Sequence, residues 1–280
     1  MMRSLWTAAS GMRAQQTNVD TIANNLANVN TIGYKTQEAT FKSLLYQNLQ
    51  STSTNNAGEN KPVAAEVGLG TRTAAITADF HQGNLTASEF PFHMAIEGDG
   101  FFQVRTATGE IQYTRDGSFN VSPMATGNLF CTSNGYPVLD QFGNNIVLPL
   151  NQVATNLQVS KEGVLGFPGE DGNIVPLMGT NAQGEQYQVM FGLVQFNNPA
   201  GLGKEGNNNY SATVASGDPV PEGTGNAEPS MVHQKYIEAS NVNVADEIVN
   251  LIVAQRAYEM NSKAIQASDE MMQQANNLRG

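Results

Sequence analysis

The two ends of the chain share one pattern, apolar residues at alternating spacings of three and four. Near the start, Leu5, Ala8, Met12, Gln15, Val19, Ile22, Leu26 and Val29 follow an a/d heptad, and only Gln15 breaks the apolar line. A stripe this narrow on an otherwise polar helix fits a coiled coil or bundle better than a globular surface helix. Near the end, Val244, Leu251, Tyr258, Ile265 and Met272 fall at strict sevens. The intervening series Ile248, Gln255, Ser262 and Asp269 begins apolar and turns polar. Asn243 is the expected N-cap, with Asp246 and Glu247 in the first turn. No Pro lies between Asn241 and Arg279, so about 35 residues read as one helix of roughly 50 Å.

Between these helices the texture changes to short apolar runs punctuated by turn residues. Asp116-Gly117, Asn134-Gly135 and Asp171-Gly172 are dipeptides that favour type I′ hairpin turns. The expected strands include Phe101–Arg105, Ile111–Arg115, Leu129–Thr132, Ile146–Leu148, Leu157–Ser160 and Tyr187–Phe196. Many short strands between Gly turns predict a sandwich-like or barrel-like body. Gln50–Pro62, rich in Ser, Thr and Asn, and Asn197–Pro229, rich in Gly, Asn and Pro, read as linkers that are mostly loop. The fold class is therefore α+β: paired terminal coiled-coil helices, a central mainly-β body and a small connecting region.

Charge sharpens this division. Residues 1–45 carry four basic and two acidic side chains, and residues 231–280 carry four and six, so the ends together are neutral. The middle, 46–230, holds 6 basic and 17 acidic residues and carries the whole net charge of −11. A like-charged body stays solvated, while neutral ends can pack against copies of themselves. Only 14% of residues are charged, and 31 Asn and 20 Gln fill part of the gap with groups that hydrogen-bond without a heavy desolvation cost. The acidic balance argues against nucleic acid as a partner.

No run approaches the roughly 18 apolar residues of a membrane span, so no membrane insertion is expected. The start, Met1-Met2-Arg3-Ser4-Leu5-Trp6-Thr7, lacks the apolar core of a cleavable secretion signal. A soluble protein is the expectation. The single cysteine, Cys131, excludes an internal disulfide and a thiolate zinc cage, and it reads as a small buried hydrophobe.

Candidate chemistry is sparse. His81, His93 and His233 have no metal-ligand spacing. Val67-Gly68-Leu69-Gly70 and Glu97-Gly98-Asp99-Gly100 do not complete a phosphate or dinucleotide loop and read as tight turns. Glu97, Asp99, Glu110 and Asp116 have the residue types of a glycosidase pair, but acidic residues beside Gly turns are commonly solvated turn formers. No catalytic residue, cofactor or metal is expected. A hydrolase or carbohydrate-binding module on a β scaffold is the competing class; it requires a clustered site or an aromatic patch, and Phe and Tyr are scattered. Two helices alone bury little, so partners from other chains are the natural completion of the terminal seams.

The stretch Asp20-Thr21-Ile22-Ala23-Asn24-Asn25-Leu26-Ala27-Asn28-Val29-Asn30-Thr31-Ile32-Gly33-Tyr34-Lys35 resembles the signature of bacterial flagellar rod and hook proteins. Glu238-Ala239-Ser240-Asn241-Val242-Asn243-Val244, Gln255-Arg256-Ala257-Tyr258-Glu259 and Asn261-Ser262-Lys263 match the same family at the other end. Gly100-Phe101-Phe102-Gln103-Val104 and Tyr113-Thr114-Arg115-Asp116-Gly117-Ser118-Phe119 resemble its body. Length and the stretch from Leu44 to Thr71 are most like the distal-rod members, with proximal-rod and hook proteins as the alternatives inside the family.

The resemblance implies a subunit that stacks helically around a narrow channel as part of a rigid drive shaft from motor to hook. It implies a terminal assembly domain (1–32 and 240–280), a connecting region (33–75 and 225–239) and an outer body (76–224). Leu5, Met12, Val19, Ile22, Leu26, Val244, Ile248, Leu251, Tyr258 and Ile265 would then bury between helices of the shaft wall. Asn24, Asn25, Asn28, Asn241 and Asn243 would fix register through amide hydrogen bonds. The implied partners are further copies of the chain, proximal-rod and hook subunits, surrounding ring proteins and the flagellar type III export apparatus. The implied location is the flagellar basal body in the cell envelope, in the periplasm where an outer membrane exists, reached without a cleaved signal peptide.

Overall fold

In a computed structural model, residues 2–50, 65–125, 127–169, 174–180, 184–223 and 228–278 are described. The chain divides into a helical unit, made of residues 1–27, 37–78 and 243–280, and a β unit, made of residues 28–36 and 79–242.

The helical unit is built on α1 (Met2–Ala27) and α2 (Val244–Asn277). α2 starts where its cap predicts: Asn243 Oδ1 accepts the Ala245 N–H at 3.1 Å, and its amide donates to Asp246 at 2.7 Å. The two helices run antiparallel in one sustained register. The Ser4 and Ser268 hydroxyls lie 3.3 Å apart, Gly11 faces Asn261, and Asn25 donates to Glu247 at 3.3 Å. Each step of seven or fourteen along α1 is matched by the same step back along α2. The α2 column facing α1 is thus Glu247, Ala254, Asn261 and Ser268, flanked by the half-buried Leu251, Ile265 and Met272. The expected second column, Ile248, Gln255, Ser262 and Asp269, lies one residue around the helix. At Ala254 and Ser268 the shift follows from size, because these small side chains let the two backbones approach where Gln255 and Asp269 would hold them apart.

Among the described residues, four strands complete this unit. β1 (Gln37–Ser43), β2 (Tyr46–Gln50), β3 (Ala65–Gly68) and β4 (Thr71–Ala78) form two antiparallel ladders, β1 with β4 and β2 with β3. A bulge at Thr40/Phe41 bends the first ladder. The Ser/Thr/Asn-rich segment read as a linker lies, from residue 51 to 62, outside the described residues.

In the β unit, alternation along one strand sets two cores. Phe101–Arg105 sends Phe102 and Val104 into a large cluster with Phe119, Phe130, Phe191 and Leu165. Phe101 points the other way, into a smaller cluster with Tyr113, Val194, Phe196 and Tyr210. Edge-on ring pairs tighten both, as between Phe102 and Phe119 at 4.9 Å and Tyr113 and Phe196 at 4.8 Å, each adding about 0.5–1.5 kcal/mol beyond its buried area. That strand is central in a six-stranded antiparallel sheet whose spatial order is Gly203–Gly206, Asn209–Ser211, Ile111–Thr114, Phe101–Arg105, Leu193–Gln195 and Val220–Pro221.

Three sequence expectations change here. The segment from Asn197, expected to be mostly loop, contributes three strands of that sheet, and Asn207 and Asn208 turn between two of them with φ of 51° and 59°. The expected strand Tyr187–Phe196 is two strands, Gln186–Gln188 and Leu193–Gln195, with different partners. It breaks near Gly192, where an added Cβ would stand 2.4 Å from the Asp140 carbonyl oxygen. Asp116-Gly117 is not a hairpin turn. Asp116 accepts from the Ser118 N–H at 2.9 Å, and Gly117 lies so close to the Met94 carbonyl that no Cβ fits. Asn134-Gly135 does turn a hairpin, with Gly135 at φ 80° and Cys131 bridging to Pro137. Asp171-Gly172 lies outside the described residues.

Candidate functional site

In the helical unit, Asn25 is the point where three elements meet. Its carbonyl oxygen accepts the Gln37 N–H at 2.9 Å, and its amide donates to the Gln37 carbonyl at 2.8 Å and to Glu247 at 3.3 Å. One side chain therefore binds α1 to β1 and to α2. Glu247 is itself buried, and desolvation raises its carboxyl above the usual range, partly offset by the Asn25 amide. Farther along, Ser10 Oγ accepts the Thr71 N–H at 3.2 Å, so the ladder of β1 and β4 is pinned to α1 at both ends, through Gln37 of β1 and Thr71 of β4.

The apolar seam residues divide by burial. Ile22 is buried, whereas Leu5, Met12, Val19, Leu26, Leu251 and Ile265 are half-buried within a single chain. Val244, Ile248 and Tyr258 remain 39%, 44% and 43% exposed. Val19 and Tyr258 line an open recess of about 410 Å³ with Gln16, Gln255 and Glu259. Asn24 lies on the exposed side of α1, and Asn243 caps α2. Two of the five asparagines expected to set helix register belong to the β unit. Asn28 accepts from the Thr31 hydroxyl at 3.1 Å in the turn that follows α1. Asn241 accepts the Thr36 N–H and hydroxyl at 2.8 Å each, and donates to the carbonyls of Asp79 and His81 at 3.0 Å each.

Sequence reasoning missed a buried ionic cluster in the β unit. Lys35, Arg115 and Glu238 come from three different motifs among those that carry the family resemblance. Glu238 Oε1 accepts from Lys35 Nζ at 2.6 Å and from the Gly83 N–H at 2.9 Å, and Arg115 Nη1 lies 3.6 Å from Oε2. The Arg115 guanidinium also sits 4.9 Å over the Phe101 ring. Burial lowers the pKa of Lys35 and of Arg115, and the Glu238 charge opposes both shifts. Burial likewise pushes the nearby Tyr210 phenol up to about 12. The approach is close enough that a Cβ on Gly33, at φ 67°, would stand 2.8 Å from the Arg115 backbone. The only sequence signal is that all three lie inside family motifs, in a chain poor in charge. Nothing in their spacing, 80 and 123 residues apart, says that they meet.

The arrangement organises backbone and helices. Among the described residues no group of three or more His, Cys, Asp or Glu side chains is placed to hold a metal ion, and no helix is long and apolar enough to cross a membrane. Three family models match the chain: Flagella basal body rod protein over residues 5–35, Flagellar hook protein FlgE/F/G D1 domain over 95–166, and Flagellar basal body rod FlgEFG protein C-terminal over 233–278. The chain is 43% identical to the flagellar basal-body rod protein FlgG of Borreliella burgdorferi, over 100% of this chain and 99% of the relative. It is 37% identical to FlgG of Caulobacter vibrioides, over 99% and 100%, and 34% identical to FlgG of Bacillus subtilis, over 100% of both. The chain belongs to the flagellar basal-body rod protein family. It is a structural subunit of the distal rod and resides in the flagellar basal body.

Proposed function

We propose that copies of this chain stack helically through α1 and α2 into a rigid drive shaft that passes torque from motor to hook. The observation that carries the reading is the α2 surface. A helix paired with α1 through Ser, Asn, Ala and Glu leaves Val244, Ile248, Val249, Ile252 and Val253 exposed, and neighbouring copies would bury them. Each such side chain covered contributes about 1.5–3 kcal/mol, repeated in every copy. On this reading residues 1–32 and 240–280 form the assembly domain, 33–75 and 225–239 connect it, and 76–224 face outward. The half-buried seam of Leu5, Met12, Val19, Leu26, Leu251 and Ile265 closes when copies join. The segment 46–71 lies against neighbouring subunits and stiffens the shaft.

The role is mechanical rather than catalytic. Proximal-rod and hook subunits are the axial partners, and ring proteins surround the shaft. The chain reaches the cell envelope through the flagellar type III exporter.

The test is deletion of the gene in its source bacterium, with electron microscopy of isolated basal bodies. The expected result is a short rod without distal segment or hook, restored by the wild-type chain and not by Leu251→Asp. Complete rods lacking only a hook would move the assignment to the hook. Intact flagella would remove the structural role.

A further inference from the structure

The two ladders of the helical unit are one antiparallel ribbon with a joint in it. Ser43 pairs with Thr71 at the end of the first ladder, and Tyr46 with Gly68 at the start of the second. Between them the Leu44 N–H donates to the Gly70 carbonyl at 2.8 Å, and the Leu69 N–H donates to the Leu45 carbonyl at 3.2 Å. The joint is thus two residues long on each strand and stays hydrogen-bonded. Gly70 takes φ 111° there, in the region that favours glycine.

This joint is seated on α1 through a very small contact. A Cβ added to Gly70 would overlap Ser10 Oγ and stand 3.1 Å from Ser10 Cβ and 3.5 Å from Thr7 Cα. The Ser10 hydroxyl donates to the Thr7 carbonyl at 2.8 Å, which leaves its oxygen to accept the Thr71 N–H at 3.2 Å. Around the seat the packing is open, because Leu44 and Leu69 line a recess of about 630 Å³ with Leu5, Trp6 and Ala9. The first ladder is also held at its far end, where Asn25 grips Gln37. The second ladder continues past the seat with residues 45–49 and 66 all exposed. It is an arm fixed at its base.

We propose that Ser10 and Gly70 are positioning residues that set the direction in which the β2–β3 arm leaves α1. An arm held at one end turns about that end, and five residues of strand reach about 17 Å, so a small displacement at the seat grows along the arm. The two residue types suit the task. Serine supplies an acceptor for the Thr71 N–H without bulk, and glycine supplies both the positive φ and the close approach. Alanine at position 10 keeps the helix but leaves that N–H without its acceptor, and leucine there would fill the place of Gly70. The inference rests on the proposal that 46–71 lies against neighbouring subunits, and adds which residues aim it.

The test attaches spin labels to the full-length, unassembled chain at Gln16→Cys in α1 and Gln47→Cys in the arm, both exposed positions, and reads their separation by double electron–electron resonance. Cys131 is buried, and a chain without Gln47→Cys supplies the background. With the seat intact, one narrow distance distribution is expected. Ser10→Ala should at least double its width while urea unfolding of the helices stays unchanged or improves, since alanine is the better helix former. Ser10→Leu should move the mean distance. A broad distribution with the seat intact, or an unchanged one in both variants, overturns the inference. If Ser10→Leu does not fold, Ser10→Ala alone decides, and an unchanged width overturns the inference. Rod straightness, read separately by electron microscopy of Ser10→Ala basal bodies, tests the reading beneath it: straight rods built from chains with a broadened arm would remove 46–71 from shaft stiffness and leave the seat standing.

Discussion

Gly11 faces Asn261 so closely that a Cβ on the glycine would stand 2.9 Å from the Asn261 amide nitrogen. What it would meet is the tip of a flexible side chain, which can swing aside. Gly11→Ala should therefore cost little, because the gain in helix propensity, about 1 kcal/mol, offsets the displaced amide. Gly11→Leu has no such room and should destabilise the helix pair by about 1–3 kcal/mol. Adding Asn261→Ala to Gly11→Leu should recover at least half of the loss. Urea unfolding followed by Trp6, the only tryptophan and a residue of α1, reads this directly. Additive losses in the double variant would show that the two residues do not share a layer.

Glu238 is the counter-charge for two buried cations from distant parts of the sequence. Glu238→Ala should cost about 3–5 kcal/mol in the β unit, since it strands Lys35 and Arg115 without a partner charge. Glu238→Gln should cost measurably less, because the amide oxygen still accepts from Gly83 and Lys35. Thermal unfolding read by near-ultraviolet circular dichroism distinguishes the two. Equal losses would mean that charge, not hydrogen bonding, sets the whole effect.

The helices are legible in the sequence because heptad spacing, an Asn243 cap and the lack of Pro are local signals, and α2 begins at its cap. Strands such as Phe101–Arg105 are legible for the same reason, as apolar runs bounded by turn residues. What stays hidden is non-local. Gly203–Gly206 and Asn209–Ser211 are strands only because Ile111–Thr114 offers them an edge, and their Gly- and Asn-rich composition argues for loop. The α2 column of Glu247, Ala254, Asn261 and Ser268 has no apolar residue larger than alanine, so a search for hydrophobic sevens passes over it. Asn241, by its place beside the α2 cap, reads as a register residue, but its hydrogen bonds lie in the β unit, on carbonyls about 160 residues away in sequence. The three motif charges give no sign in the sequence that they meet.

Glu247 links helix pairing to pH. Burial raises its carboxyl above the ordinary value of 4.5, so the folded helical unit holds this proton more tightly than the unfolded chain. Stability from this group is thus greatest at and below the ordinary carboxylate value, and falls as pH rises through the window up to the raised one. Glu247→Gln keeps an acceptor for Asn25 without the buried charge. The variant should be more stable than wild type at pH 7.5 and should lose this segment of the pH dependence. Trp6-detected unfolding at pH 5.0 and 7.5 measures both, and an unchanged slope would take Glu247 out of the linkage.

Asn241 offers the sharpest test of how the β unit fixes its backbone, because both ends of its amide are used. Its oxygen accepts twice from Thr36 and its nitrogen donates to the Asp79 and His81 carbonyls. Asn241→Ala removes all four bonds and should cost about 2–3 kcal/mol at neutral pH. Asn241→Asp is nearly the same size but points a charged oxygen at two carbonyls, so above its pKa it should be worse than alanine. The aspartate would hold a proton in the fold, since only the protonated form can donate to those carbonyls. Its pKa in the folded state is then raised, and the variant's stability should fall as pH rises through that value. Unfolding measured at pH 4 and pH 7.5 should place Asn241→Asp above Asn241→Ala in acid and below it at neutrality. The same order at both pH values would show that the two carbonyls are not what the nitrogen serves.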